Sequence, residues 1–154
     1  MKFYFWTAMV LLVGAGLAPA QQFEVIQELR SADEVGYREA AYAVLVSSGE
    51  LPDSARPDAA LNDRLRRLLG WEERPTDGPV SVAEFSFLVM EGFDIPGGLL
   101  YRIAPGPRYA IRELRFRRIV LERLNGPSPI RGPEALRILG NAVEWQRRRE
   151  EDAP

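Results

Sequence analysis

Two side-chain types carry whatever chemistry this chain can do: carboxylates at the heads of apolar runs, and arginines. Glu84 follows Ser81 by three residues, and Glu134 follows Arg131 by three, each just before a long apolar stretch. Two carboxylates are the minimum equipment for acid–base cleavage of a glycosidic bond. The same spacing, however, is that of a helix N-terminus, where a Glu in the first turn folds back onto the cap. The spacing favours capping, and Ser31, Ser81, Glu84 and Glu134 are read as structural caps. Arg131, with Arg102, Arg108 and Arg112 near the same loop in sequence, offers guanidinium forks that match carboxylate or phosphate. These four are the candidate ligand-binding residues. Histidine and cysteine are absent. Triads, zinc sites built on those residues, and disulfides are therefore excluded. No catalytic residue, metal site or cofactor is expected, and the protein is read as a non-enzyme.

The elements that must position these residues begin after a removable leader. Lys2, the apolar stretch Phe3–Leu17 and the small-residue pattern Ala18-Pro19-Ala20 form a signal peptide over 1–20, with cleavage after Ala20. The alternative is retention as an N-terminal anchor, although the apolar stretch is short of the roughly 20 residues a span requires. A periplasmic, secreted or envelope-associated protein is expected, with no integral span after cleavage. The formal net charge of −2 gives no global attraction to nucleic acid, and none is expected as a partner.

Residues 21–30 read as a lead-in. Ser31-Ala32-Asp33-Glu34 has the form of a capping box and predicts a helix through Tyr37, Ala40, Ala41, Val44 and Leu45, closed by Gly49. Leu61, Leu65, Leu68 and Leu69 share a face of a second helix over 59–69. Ser81 and Glu84 open a helix that is apolar on nearly every side, which belongs in the centre of a bundle. Gly92 is expected as its left-handed C-cap. Leu99–Ile103 reads as a short helix or an extended segment. A further helix is predicted over Arg108–Arg123, with Tyr109, Phe116, Ile119 and Val120 on one stripe. Pro133 suits a first helical turn, and Ala135–Trp145 forms the cleanest amphipathic helix in the chain. Phe85, Leu88, Val89, Leu136, Leu139 and Val143 are expected to be buried together. The tail 150–154 should fray.

Two segments share one layout. Val80-Ser81-Val82-Ala83-Glu84 aligns with Ile130-Arg131-Gly132-Pro133-Glu134, each a β-branched residue, three spacers and a glutamate opening an apolar helix. This layout resembles the S-layer homology repeat, in which an Ile-Thr-Arg-Ala-Glu motif opens the second helix. Val80, Ser81, Ala83 and Glu84 fit the first, second, fourth and fifth places, whereas Ile130 and Glu134 alone fit in the second copy. Val82 and Gly132 stand where the family carries its arginine, and Arg131 is displaced by one place. The expected fold is all-α, a domain of about five helices over 31–149 built from two such repeats. Repeat one covers 31–98, with the 59–69 helix inserted, and repeat two covers 99–149. The resemblance implies binding to peptidoglycan, another cell-wall polymer or an envelope protein. A periplasmic adaptor without glycan affinity is the alternative.

Overall fold

The computed structural model describes residues 26–52 and 78–152, and these are helical with no strand among them. The fold is all-α. The expected leader over 1–20 and the expected helix over 59–69 lie outside the described residues. After a helical segment over 26–31 come α1 (Tyr37–Ser47), α2 (Val82–Gly92), α3 (Leu99–Ile103), α4 (Pro107–Phe116) and α5 (Gly132–Glu151). As its composition requires, α2 is central: it packs against α1, α4 and α5, and α3 leans on α4. Phe85, Leu88 and Val89 are each 0 % exposed. Its one fully buried polar side chain, Ser86, donates its hydroxyl to the Val82 carbonyl at 2.7 Å. That bond removes the cost of burying the group.

The starts of α1, α2 and α5 are tied together by a closed ring of backbone hydrogen bonds. The Val80 amide donates to the Val35 carbonyl at 2.9 Å, Ile130 to Val80 at 2.9 Å, and Val35 to Ile130 at 3.0 Å. Two residues further on, the bonds run the other way round the ring. Tyr37 donates to Gly78, Val82 to Ser128, and Gly132 to Ala32, at 3.1, 2.9 and 3.0 Å. The three N-caps share one extended conformation: Gly36, Ser81 and Arg131 have ψ of 158°, 160° and 152°. Each helix then carries a glutamate at its third position, Glu39, Glu84 or Glu134. The sequence motif therefore has three copies rather than two, the third being Val35-Gly36-Tyr37-Arg38-Glu39. The chain closes a pseudo-threefold arrangement.

Several local expectations change for reasons the ring makes plain. Ser81 and Glu84 form the full capping box, the Glu84 amide donating to Ser81 Oγ at 3.2 Å and the Ser81 amide to Glu84 Oε2 at 2.9 Å. Ser31 does not cap α1. It ends the preceding helical segment and donates to the Gln27 and Glu28 carbonyls, while Gly36 is the true cap. Gly92 is not a left-handed cap either. It is the last residue of α2, and a Cβ there would stand 2.5 Å from Val44 Cγ1, so glycine serves close approach to α1. The left-handed place belongs to Asp94, at φ 46°, with the Ile95 amide bonded to the Met90 carbonyl. That is the Schellman closure with a non-glycine residue at its turning point. Arg118, at φ 59°, does the same for α4, with the Ile119 amide bonded to the Leu114 carbonyl. The predicted helix over Arg108–Arg123 consequently stops at Phe116.

The core is otherwise the one the apolar pattern implies, with two exceptions on α5. Ala135, Ile138, Leu139 and Ala142 face inward, Leu136 is half-buried, and Val143 is 45 % exposed. Leu136 and Leu139 border an open apolar groove shared with Ile26, Leu29, Tyr42 and Val46. At its far end α5 runs to Glu151, past the expected boundary, where Arg147 pairs with Glu144 at 2.7 Å and Glu151 at 2.9 Å.

Candidate functional site

Arg131 is the N-cap of α5, and its guanidinium is already engaged by Glu134 Oε1 at 3.1 Å. Arginine has no acceptor atom, so only half a capping box forms here, from the Arg131 amide to Glu134 Oε2 at 3.4 Å. The adjoining cavity is lined by Glu28, Glu34 and Glu39 together with Leu29, Ala32, Val35 and Gly36. An anion approaching this end of the ring meets carboxylates first. Arg131 serves α5, while Arg102 lies on α3 and Arg108 and Arg112 lie on α4.

Those three sit on α3 and α4, where a second property emerges that the sequence pattern did not reveal. Leu99, Leu100 and Ile103 are 72, 52 and 71 % exposed, and Phe116 is 84 % exposed. Leu99, Leu100, Tyr109, Arg112, Glu113 and Phe116 border one open cleft with Gly98. The sequence places Phe116 on a stripe with Tyr109, Ile119 and Val120; in α4 the inward side is Ala110, Ile111 and Leu114, and Phe116, two residues past Leu114, lies on the opposite side. The signal for the other three was the punctuation. Pro96-Gly97-Gly98 and Ala104-Pro105-Gly106-Pro107 confine α3 to five residues, too few to bury an apolar side chain on every side.

Tyr101 fixes which way α3 faces. Its ring packs on Phe87, with centroids 6.3 Å apart, and its hydroxyl donates to Glu91 Oε1 at 2.5 Å. Gly97 is glycine because a Cβ there would come 2.3 Å from the Tyr101 ring. With Tyr101 turned inward, its neighbours turn outward. On the far side, Arg117 bonds the Pro96 carbonyl and pairs with Glu113 at 3.3 Å, clamping the α3 approach to α4. The corner is built rather than loose.

Burial first, and then the Glu91 carboxylate that accepts its proton in a hydrogen bond, push the Tyr101 hydroxyl well above the usual tyrosine range. An unfolded tyrosine titrates near pH 10, as does any free phenol. The contribution of Tyr101 is thus complete below about pH 10 and is lost as pH climbs through the folded value. Denaturant midpoints taken at about pH 8 and about pH 11 should fall with pH in the native chain. Tyr101→Phe should flatten that fall, and an unchanged slope would contradict the Tyr101–Glu91 bond.

No protein-family model matches the chain, no curated protein is similar to it, and no solved structure matches its fold. Among the described residues the geometry defines a helical bundle whose α3–α4 corner is basic and apolar. Among the described residues no cluster of acidic side chains is arranged to hold a metal ion.

Proposed function

We propose that this protein is an exported, non-catalytic binding module of the cell envelope, with S-layer-homology-like architecture and the α3–α4 corner as its binding face. One observation carries the reading: exposed Leu99, Leu100, Arg112 and Phe116 border one cleft, on two adjoining helices that also carry exposed Arg102, Ile103 and Arg108. Export is supported by the leader-like pattern over 1–20. The architecture is supported by the threefold ring, in which a β-branched residue and a first-turn glutamate recur at each helix start. The expected ligands are peptidoglycan, another wall polymer or an envelope protein. The apolar half of the corner favours the adaptor reading over a hydrated glycan, since aliphatic side chains gain nothing from a polymer that stays wet.

Retention of the purified chain on native envelope tests the proposal. Changing Arg102, Arg108 and Arg112 together to Gln should weaken retention, and more so at low salt, because exposed charges are screened as salt rises. Arg131→Ala should leave retention unchanged, its guanidinium being occupied by Glu134. Glu84→Ala should cost about 0.5–2 kcal/mol of stability without altering retention, as a cap does. Loss of retention with Arg131→Ala alone would move the site to the ring.

A further inference from the structure

We infer that the α3–α4 corner docks on an anionic phospholipid surface, a conclusion that rests on the envelope-binding reading and goes beyond the ligands it expects. Leu99, Leu100, Ile103 and Phe116 enter the boundary between headgroups and acyl chains. Arg102, Arg108, Arg112 and Arg118 meet lipid phosphates. Charge complementarity supplies the first argument. Residues 97–118 hold six arginines against one glutamate, in a chain whose net charge is −2. That one glutamate, Glu113, is already paired with Arg117 at 3.3 Å. Arg115 and Arg117 are turned to the backbone carbonyls of Leu124 and Pro96. The other four arginines are exposed and make no ion pair or side-chain hydrogen bond among the described residues.

Direction supplies the second argument. Leu99 and Leu100 lie four and three residues before Ile103, so the three share the outer side of α3. Arg108, Arg112 and Phe116 follow one another at four-residue steps along a single stripe of α4. Leu99, Leu100, Arg112 and Phe116 border the same cleft, which joins the two stripes into one face. An apolar ridge rimmed by arginine is the pattern of segments that lie in a membrane interface. Tyr109 and Phe116 border the cleft, while the most exposed residues of α3, Leu99 and Ile103, are aliphatic and suit acyl chains rather than sugar rings. Among the described residues no helix is long and apolar enough to cross a membrane, and docking at the surface requires none.

The absence of cysteine makes the test direct. A polarity-sensitive fluorophore attached to the full chain through Ile103→Cys reports on this face. The same dye at Arg137→Cys, an exposed position of α5, reports on another. With mixed phosphatidylglycerol–phosphatidylcholine vesicles the dye at 103 should shift to the blue and be quenched by spin-labelled acyl chains, while the dye at 137 does neither. Each arginine near an anionic surface is worth about 5-fold in partitioning, so Arg108→Gln with Arg112→Gln should raise the half-saturating lipid concentration by roughly 25-fold. Leu99→Ser with Phe116→Ser should abolish acyl-chain quenching. An unshifted dye at 103 on vesicles that carry the chain overturns the inference, as does an equal shift at 137. A shift on purified sacculi but not on vesicles overturns lipid docking and leaves envelope binding standing. Retention on neither overturns both.

Discussion

Leu88→Ala should lower the unfolding free energy by about 2–5 kcal/mol, the range for emptying a fully buried leucine site. Leu88 is 0 % exposed on the helix that contacts α1, α4 and α5, so no neighbour can relax into the space without disturbing a second interface. Leu139→Ala should fall toward the lower end of the range. That side chain is 5 % exposed and borders the open groove beside Ile26, where part of the lost volume is already solvent-facing. Val143→Ala, at a 45 % exposed position, should stay within about 0.5 kcal/mol. Urea unfolding of the three variants checks the order. Equal losses at Leu88 and Val143 would contradict the placement of α2 at the centre.

Two glycines of α5 should respond in opposite directions to the same change. A Cβ at Gly132 would stand 1.5 Å from the Leu29 carbonyl oxygen and 3.2 Å from that of Ala32. Both obstacles are backbone, so no rotamer change relieves them. Gly132→Ala must push residues 26–32 away from α5 and break the Gly132-to-Ala32 bond, one link of the ring. Overpacking of this kind costs about 1–3 kcal/mol and occasionally more, and a contact this short with backbone belongs at or above the top of that span. Gly140, in the middle of the same helix, is exposed, with nothing within 4 Å of an added Cβ. Gly140→Ala should therefore stabilise by about 0.5–1 kcal/mol through helix propensity alone. Thermal and denaturant melts of the pair decide it, and a neutral Gly132→Ala would mean the 26–32 segment does not lie against α5.

What could be read from the sequence was whatever is decided within a few residues. The Ser81–Glu84 box, the closing Gly49 at φ 82° and the all-round apolar α2 have their causes in the local chain. Where a distant segment decides, the reading slipped. Ser31 and Glu34 have capping-box spacing, yet α1 starts where Val35 and Tyr37 meet Ile130 and Gly78 across the ring. That false start hid the third copy of the motif. Gly92 looks like a C-cap until Val44 is seen beside it. Arginine at φ 59° is a rare choice, and no pattern in residues 108–123 foretold that Arg118 would turn the chain just after Phe116. The candidate site inherited the same division. Arg102, Arg108 and Arg112 were visible as charge, whereas the apolar half of their face depends on which sides of α3 and α4 turn inward.

The ring has a consequence for how the molecule can be assembled or cut down. Its members stand at positions 35, 80 and 130, and each donates to a neighbour that is remote in sequence. An open solenoid can lose a terminal unit or grow by one, because each repeat leans only on the next. A closed ring has no terminal unit. Removing the chain from Ile130 onward takes away the acceptor of Val35 and the donor to Val80 together, leaving two helix starts with unmet backbone groups in the core. A chain emerging from its N-terminus holds α1 and α2 without these bonds until Ile130 is available. A chain cut before Ile130 should accordingly fail to give a cooperative melt, whereas the full chain should unfold in one step.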